Sequence, residues 1–257
     1  VTFNNETWRI IGIIPTEDTS GNIENRFKII KDESIGKMKR NACTINSERK
    51  CDDTGKFPND WTGATSNIYL NNDYYNTLST DAKNMIGTTK YYLGGYDITG
   101  ITSDVMWQYE RKKTNGSDCV YNSSSHRQTG SECYFYQTNP IMQNDANKKI
   151  AIMYASDYGY GASKECTINL FDYYNFANCK TPNNWLNTQD EWLLAHYSEN
   201  SYQTFLVGAN GMVGKPANFK HSIEDSSVIR PTLTLSSNVK ISGGEGTSSN
   251  PYTLSVN

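Results

Sequence analysis

Runs of branched apolar residues predict a β-hairpin at the start of the chain. Residues 8–14 are rich in isoleucine and stop at Pro15, which is typical of a strand. Residues 26–31 alternate polar and apolar side chains, as a half-buried strand does. The stretch between these runs is polar. We therefore expect two antiparallel strands joined by a turn region over residues 16–25.

Later runs predict further strands. Two apolar runs stand out: one precedes the glycine-broken residues 156–161, and the other begins at Trp192. The run at Trp192 could instead be a helix, because Thr188 and Glu191 have the spacing of a capping box. Strand is the favoured interpretation. Pro231 predicts an edge position or a bulge in the last run. The predicted strands are residues 149–154, 192–195, 203–207, followed by a turn at 208–211, and 228–235.

Two helices are predicted in the first third of the chain. Residues 65–76 place their large apolar side chains on one broad face. Residues 80–86 follow Ser79 or Thr80, either of which can cap a helix, and Gly87 ends them. Residues 32–61 and 97–147 are polar and are expected to be long loops. Strands and helices together predict an α+β fold with small antiparallel sheets.

The composition changes at residue 236. A loop rich in glycine and serine separates two short strand-like runs at residues 239–241 and 252–254. We expect a C-terminal β-hairpin appendage over residues 236–257, attached to one domain over residues 1–235.

The six cysteines fall into three sequential pairs. Each pair would close a short polar loop, at an expected gain of roughly 2.5–3 kcal/mol per bridge. No pair has the close spacing of zinc ligands. Disulfides are therefore the favoured interpretation, and they imply an oxidising, extracellular compartment. Sequence alone leaves 15 pairings open; proximity favours Cys43–Cys51, Cys119–Cys133 and Cys166–Cys179.

Charge and hydropathy narrow the classes of partner. The net charge is -3 and the basic residues form no stripe, which argues against nucleic acid as a partner. No apolar run approaches the roughly 18 residues that a membrane span needs. The chain starts without a recognisable signal peptide, so we expect a mature or trimmed ectodomain.

Several motifs resemble a family of secreted and pilin-like surface proteins of Firmicutes and related gut bacteria. They are residues 7–12, 27–36, 156–160, 228–231 and 244–252. The resemblance implies a protein of the Gram-positive cell surface.

The last third of the chain is also similar to the end of C-type-lectin-like folds. In those folds, a strand that carries a tryptophan is followed by a loop, a second strand, a turn and a final strand with an Arg-Pro motif. In this chain Trp192 and Arg230 occur in the same order. The similarity implies two small sheets, two helices and long loops that present a ligand site. The calcium-binding triplets of lectins and the catalytic cysteine pair of the formylglycine-generating branch are not evident.

The titratable residues give little indication of catalysis. His126, His196 and His221 have no metal-ligand spacing, and Asp190, Glu191 and Glu132 could form a glycosidase pair only inside a cleft. A hydrolase is therefore the weakest hypothesis. We predict no enzyme and no cofactor, with room for one structural calcium and no other metal.

Two non-enzymatic hypotheses remain. The first is an adhesin-like module that binds a host glycan or surface protein. The second is the globular head of a pilin-like filament that contacts neighbouring subunits. The candidate ligand-binding residues are aromatic or polar and lie near or between the Trp192 strand and Arg230: Trp185, Tyr197, Tyr202, Asn210, Lys215, Asn218, Lys220 and His221.

Overall fold

A computed structural model describes most of the chain. The described residues are 1–44, 46–47, 51–53, 61–92, 95–96, 102–111, 120–122, 127–129, 149–186, 188–197, 204–214 and 226–257. They form a mixed α+β fold of mostly small antiparallel sheets with few helices.

The strands are short apart from the second and third. They are β1 Thr2–Phe3, β2 Glu6–Glu17, β3 Ile23–Lys31, β4 Lys37–Lys39, β5 Gly95–Tyr96, β6 Val120–Asn122, β7 Arg127–Thr129, β8 Glu191–Tyr197, β9 Thr204–Val207, β10 Val213–Gly214, β11 Ser226–Val228, β12 Thr232–Thr234, β13 Val239–Gly243 and β14 Thr253–Val256. The α-helices are α1 Thr65–Tyr69, α2 Tyr75–Thr77, α3 Thr80–Met85, α4 Ser103–Arg111, α5 Ala155–Tyr160 and α6 Ala177–Lys180. A π-helical segment, Leu70–Tyr74, joins α1 to α2, and Leu170–Asn175 and Thr181–Asn183 are 3-10 helical.

The first sheet has the strand order β1-β2-β3-β12 and is antiparallel throughout. The expected β2–β3 hairpin is confirmed, with a β-bulge between Ile10 and Gly12. Its turn is shorter than expected because the Asp18 carboxylate accepts hydrogen bonds from Ser20 N and Asn22 N, which closes the turn tightly. The prediction that β2 stops at Pro15 is wrong: Pro15 pairs with Asn25 inside the hairpin. An edge strand tolerates proline where the missing N–H would face away from its partner.

The second sheet has the order β10-β9-β8-β11-β4, and β5 also pairs with β8. The expected strand at Trp192 is confirmed as β8, and no helix starts at Thr188. The expected single strand over residues 228–235 is wrong. β11 lies in the second sheet and β12 in the first, so the chain crosses between sheets at Arg230 and Pro231. Proline suits this crossing because it donates no ladder hydrogen bond.

The predicted helices form, and three more among the described residues, α4, α5 and α6, were missed. Residues 65–77 are continuously helical through the π segment, and Ser79 Oγ caps α3 by accepting from Ala82 N at 3.2 Å. α4 lies inside a segment predicted to be loop. The glycine-broken loop expected at 156–161 is instead largely α5, whose start the Asp157 carboxylate stabilises by accepting from Tyr154 N at 2.7 Å.

The segment before α5 is extended but is not the predicted strand. It makes one isolated β-bridge, between Ala151 and Thr232, and forms no continuous β-ladder with any described strand. Asn71 on the π segment takes the place of a neighbouring strand: its side chain donates to Ile150 O at 2.8 Å and accepts from Ile150 N at 2.9 Å. A side-chain amide thus satisfies backbone groups that a sheet would otherwise pair.

Two apolar clusters cover opposite faces of the first sheet. Trp8 and Ile29 belong to one cluster, whereas Ile30 and Met153 belong to the other. Adjacent residues of a strand point to opposite faces, so the sheet is buried on both sides. Trp8 and Trp192 are both core residues, as predicted.

Two disulfides are present in the described residues, with the predicted pairing Cys43–Cys51 and Cys166–Cys179 and Cα–Cα distances of 5.3 and 5.1 Å. Cys119 and Cys133 lie outside the described residues. Among the helices described, none is both long enough and apolar enough to cross a membrane.

The C-terminal strands β13 and β14 form an antiparallel pair. This hairpin touches the first sheet, since Thr2 N donates to Tyr252 O at 2.9 Å and Val239 is buried in the cluster that contains Trp8. The division into a domain over residues 1–235 and an appendage over residues 236–257 stays a prediction.

Candidate binding groove

A groove of about 540 Å³ lies beside the outer edge of β2. We call it the β2 groove. Its lining comes from β2, from the end of β3 and Asp32, from α5 and the residues next to it, from the turn over residues 182–186, and from the loop of the C-terminal hairpin. Its described lining residues include Thr7, Arg9, Ile10, Ile11, Asp32, Pro182, Trp185, Thr247, Ser248, Pro251 and Tyr252.

Among the described residues, β1 borders only the start of the β2 edge. Val1 and Trp8 exchange two backbone hydrogen bonds, each 2.8 Å long. Beyond Trp8, the described residues provide no further strand on this side of β2. The edge that β1 leaves uncovered therefore faces the groove.

Trp185 forms one wall and lies against two guanidinium groups. The Arg9 Cζ atom is 4.5 Å and the Arg230 Cζ atom 5.0 Å from the centre of its ring. The turn beneath it is fixed, because Asn183 Nδ2 donates to Tyr158 O at 2.7 Å and Leu186 N donates to Asn183 O at 2.9 Å. Trp185 thus presents an aromatic surface on a rigid support, with cation–π contacts that hold its orientation.

The cations beside Trp185 are neutralised by carboxylates. Arg9 Nε lies 2.5 Å from Asp32 Oδ1 at the surface. Arg230 is buried, and its Nε contacts Glu191 Oε1 and Oε2 at 3.2 and 3.0 Å. Its Nη1 also donates to the carbonyl oxygens of Lys31 and Asp32. Arg230 therefore ties the first sheet to the second directly behind Trp185.

Glu191 has a perturbed acidity. Burial raises its pKa to about 7, and the charge of Arg230 opposes that rise. A carboxyl of raised pKa is one feature of the hydrolase hypothesis, but the Glu191 side chain is buried and is not among the described residues that line the β2 groove. Asp190 Oδ1 accepts from Ala209 N at 2.9 Å and so fixes a turn.

The hairpin loop forms the opposite wall and is held by its own hydrogen bonds. Glu245 N and Gly246 N both donate to Asn250 O, and Asn250 N donates to Thr247 Oγ1 at 3.0 Å. Gly246 has a φ of +77° and lies against the Tyr252 ring, where a Cβ would approach the ring to 2.5 Å. Glycine is therefore required for the loop to place Tyr252 at the groove.

A second pocket of about 200 Å³ lies near the turn of the β2–β3 hairpin. Lys28 and Tyr154 line it, and the Lys28 Nζ atom is 2.6 Å from Asp157 Oδ2 and 4.6 Å from the centre of the Tyr154 ring. Burial and the Asp157 charge raise the pKa of Tyr91, another lining residue.

Of the predicted ligand-binding residues that the structure describes, one lines the β2 groove and two do not. Trp185 lines the β2 groove. Tyr197 ends β8, where it pairs with Tyr96, and Asn210 lies in the predicted turn after β9 and accepts from Met212 N at 3.0 Å. Neither Tyr197 nor Asn210 is among the described residues that line the groove. The other predicted residues lie outside the described part of the chain: Tyr202, Lys215, Asn218, Lys220 and His221.

Sequence reasoning missed most of the groove. Arg9, Tyr252 and Thr247 come from the two ends of the chain, and no spacing rule connects residues so far apart. The glycine-rich hairpin loop was the one available signal, because it indicated a turn with special backbone geometry. Within the described residues, no group of three or more His, Cys, Asp or Glu side chains could hold a metal ion.

Comparison of the chain with protein-family models, with curated proteins and with solved structures finds no match. The functional interpretation therefore depends on the groove and the disulfides.

Proposed function

We propose that the protein is a non-enzymatic binding module of the bacterial cell surface, adhesin-like in function, with a C-type-lectin-like arrangement of sheets and loops. The observation that carries the proposal is the β2 groove with Trp185 on a rigid turn. Binding sites are commonly concave, with an aromatic anchor among a few polar groups. The groove has this character, since the aromatic residues Trp185 and Tyr252 line it together with the polar residues Thr247 and Ser248.

The extracellular location is part of the proposal and is supported by the disulfides. Cys43–Cys51 and Cys166–Cys179 each close a short loop, and such bonds persist in oxidising compartments. The α+β architecture with small sheets supports the lectin-like interpretation, because lectin-like folds present ligand-binding loops on a rigid base.

The test is a binding screen with the whole chain against an array of host glycans and a panel of purified matrix and surface proteins. We expect at least one ligand, and Trp185→Ala should weaken its binding by at least about tenfold, as removal of a central aromatic anchor does. The matched control is Phe176→Ala, which truncates an exposed aromatic side chain that does not line the groove.

The proposal is wrong if no ligand binds, or if Trp185→Ala and Phe176→Ala leave binding equally intact. Circular dichroism of both variants checks that the fold persists. The filament-head hypothesis remains a separate prediction, and concentration-dependent assembly measured by sedimentation would favour it over an adhesin.

A further inference from the structure

We infer that the Cys166–Cys179 disulfide is a redox-sensitive link that holds the turn carrying Trp185, so that its reduction moves Trp185 away from the β2 groove and weakens ligand binding. This inference rests on the proposed function, because it names a regulation of the same site. The turn belongs to the segment over residues 162–186, which follows α5 and which we call the Trp185 segment.

The Trp185 segment has little regular structure of its own. It contains two 3-10 helices, Leu170–Asn175 and Thr181–Asn183, and the single turn of α6. The described backbone hydrogen bonds of residues 163–186 all join residues at most four positions apart, and none of them reaches a strand. Helices of one turn are not stable in isolation. The segment therefore depends on its attachments to other parts of the molecule.

Non-covalent anchors hold the segment near both of its ends. Leu170 and Tyr173 are buried in the apolar cluster that contains Met153. Further along the chain, Asn183 Nδ2 donates to Tyr158 O at 2.7 Å. The single turn of α6 lies between these anchors, and the turn that carries Trp185 follows it directly.

The disulfide is the covalent link between the first anchor and α6. Cys166 precedes the first 3-10 helix and Cys179 lies in α6, shortly before Trp185, with a Cα–Cα distance of 5.1 Å. Closing a loop of this size favours the closed state by a factor on the order of a hundred. The bond thus holds α6, and with it the turn under Trp185, against the anchored helix.

The two cysteines differ in exposure, which gives a reductant one side from which to approach. Cys166 is half-buried, whereas Cys179 is 2% exposed. A thiolate of a small dithiol attacks Cys166 Sγ, the S–S bond breaks, and Cys179 leaves as a thiolate that takes up a proton. The second thiol of the reductant then displaces Cys166. The dithiol is oxidised to a cyclic disulfide, and its two electrons and two protons end on the two cysteines.

Reduction leaves the turn under Trp185 with single side-chain contacts. They are the Asn183 hydrogen bond to α5 and the guanidinium contacts of Arg9 and Arg230 with the indole ring. Without the loop closure, local opening of the segment becomes more frequent, and Trp185 leaves the wall of the groove with it. The Cys43–Cys51 disulfide shares no residue with the described groove lining, so its reduction should not have this effect.

The test compares the oxidised whole chain, labelled with ¹⁵N, with the variant Cys166→Ala combined with Cys179→Ala. The backbone amide of Leu186 closes the turn under Trp185 and should exchange with solvent at least about tenfold faster in the variant. The amide of Leu194, which is hydrogen-bonded in the core, is the internal control and should exchange at the same rate in both proteins.

A matched variant and a reductant complete the comparison. Cys43→Ala combined with Cys51→Ala removes the other described disulfide and should leave Leu186 exchange unchanged. A small dithiol added to the folded wild-type chain should reproduce the fast exchange without any substitution. Alkylation followed by mass spectrometry measures whether Cys166 and Cys179 have been reduced.

The glycan array and protein panel of the binding screen give the functional readout. Every ligand whose binding Trp185→Ala weakens should bind the Cys166→Ala, Cys179→Ala variant at least about tenfold more weakly. Adding Trp185→Ala to that variant should change binding by less than about twofold, because the ring has already left the groove.

Several outcomes overturn the redox-sensitive link and leave the proposed function intact. One is equal Leu186 exchange in the variant and the wild-type chain, and another is an equal acceleration of Leu194, which indicates global destabilisation. A third is a bond that the dithiol does not reduce in the folded chain. A fourth is Trp185-dependent binding that the variant retains in full. A wild-type chain that binds nothing in the screen contradicts the proposed function itself, whatever the exchange rates.

Discussion

Two buried ion pairs connect the first sheet to the rest of the molecule, and they differ in how fully their charges are satisfied. Arg230 contacts both oxygens of Glu191 and two backbone carbonyl groups, and its flat face lies near Trp185. Lys28 contacts Asp157 Oδ2, while Asp157 Oδ1 is buried and accepts no hydrogen bond from the described residues.

The difference follows from the chemistry of the two cations. A guanidinium group has five donors in a fixed planar arrangement, so one arginine can join three chain segments at once. An ammonium group is a compact charge that serves best where one carboxylate faces it. Arg230 is suited to holding the wall of the β2 groove, whereas Lys28 holds β3 against α5. The two pairs should therefore respond differently to mutation and to pH.

The largest effect is expected from breaking the Lys28 pair. Asp157→Ala should lower the free energy of unfolding by about 3–5 kcal/mol, because it leaves Lys28 buried without its counterion. It also removes the acceptor for Tyr154 N at the start of α5. Urea denaturation followed by circular dichroism measures the loss. The control is Lys28→Met combined with Asp157→Asn, which should recover at least half of the stability; a single variant that costs under about 1 kcal/mol would contradict the prediction.

A smaller and pH-dependent effect is expected from breaking the Arg230 pair. Arg230→Met should cost about 2–4 kcal/mol at pH 8, where a buried Glu191 carboxylate would lack its cation. At pH 5 the cost should be lower, because the pKa of Glu191 is raised to about 7 and its side chain is neutral there. Denaturation at both pH values tests this, and equal costs would show that Glu191 does not take up a proton.

The smallest effect is expected from Glu191→Gln, which removes the titration while keeping the shape of the side chain. The folded pKa of about 7 lies above the value of 4.5 for an unperturbed Glu, so the folded state binds more protons than the unfolded state between these pH values. The contribution of Glu191 to stability is thus fully present below about pH 4.5 and is lost as the pH rises through 7. The melting temperature of Glu191→Gln should fall less steeply across this window, and parallel profiles for the two proteins would contradict the assignment.

Features governed by near neighbours in the chain could be predicted from the sequence. The β2–β3 hairpin, the Ser79 cap of α3 and the two described disulfides each involve residues 30 positions apart or fewer. Turn formation, helix capping and loop closure are local, so composition and spacing carry enough information. Trp185 was also named from the sequence as a candidate ligand-binding residue, and it lines the groove.

Features governed by distant partners could not be predicted. The run over residues 149–154 has the composition of a strand, yet a side chain of the π segment, Asn71, satisfies its backbone. Residues 156–160 contain a glycine and read as a loop, yet they form α5, whose Asp157 is held by Lys28 from β3. In both places a contact from elsewhere in the chain outweighs a weak local preference, as tertiary context commonly does.

The sequence by itself determined the α+β composition, the pairs Cys43–Cys51 and Cys166–Cys179 and the burial of Trp8 and Trp192, because these depend on hydrophobic pattern and short loop closure. The tertiary structure alone decided where the groove lies and which residues line it. Arg9, Trp185 and Arg230 come together only after two sheets have packed. Contacts between residues that are far apart in sequence are fixed by packing of the whole chain, and no local pattern encodes them.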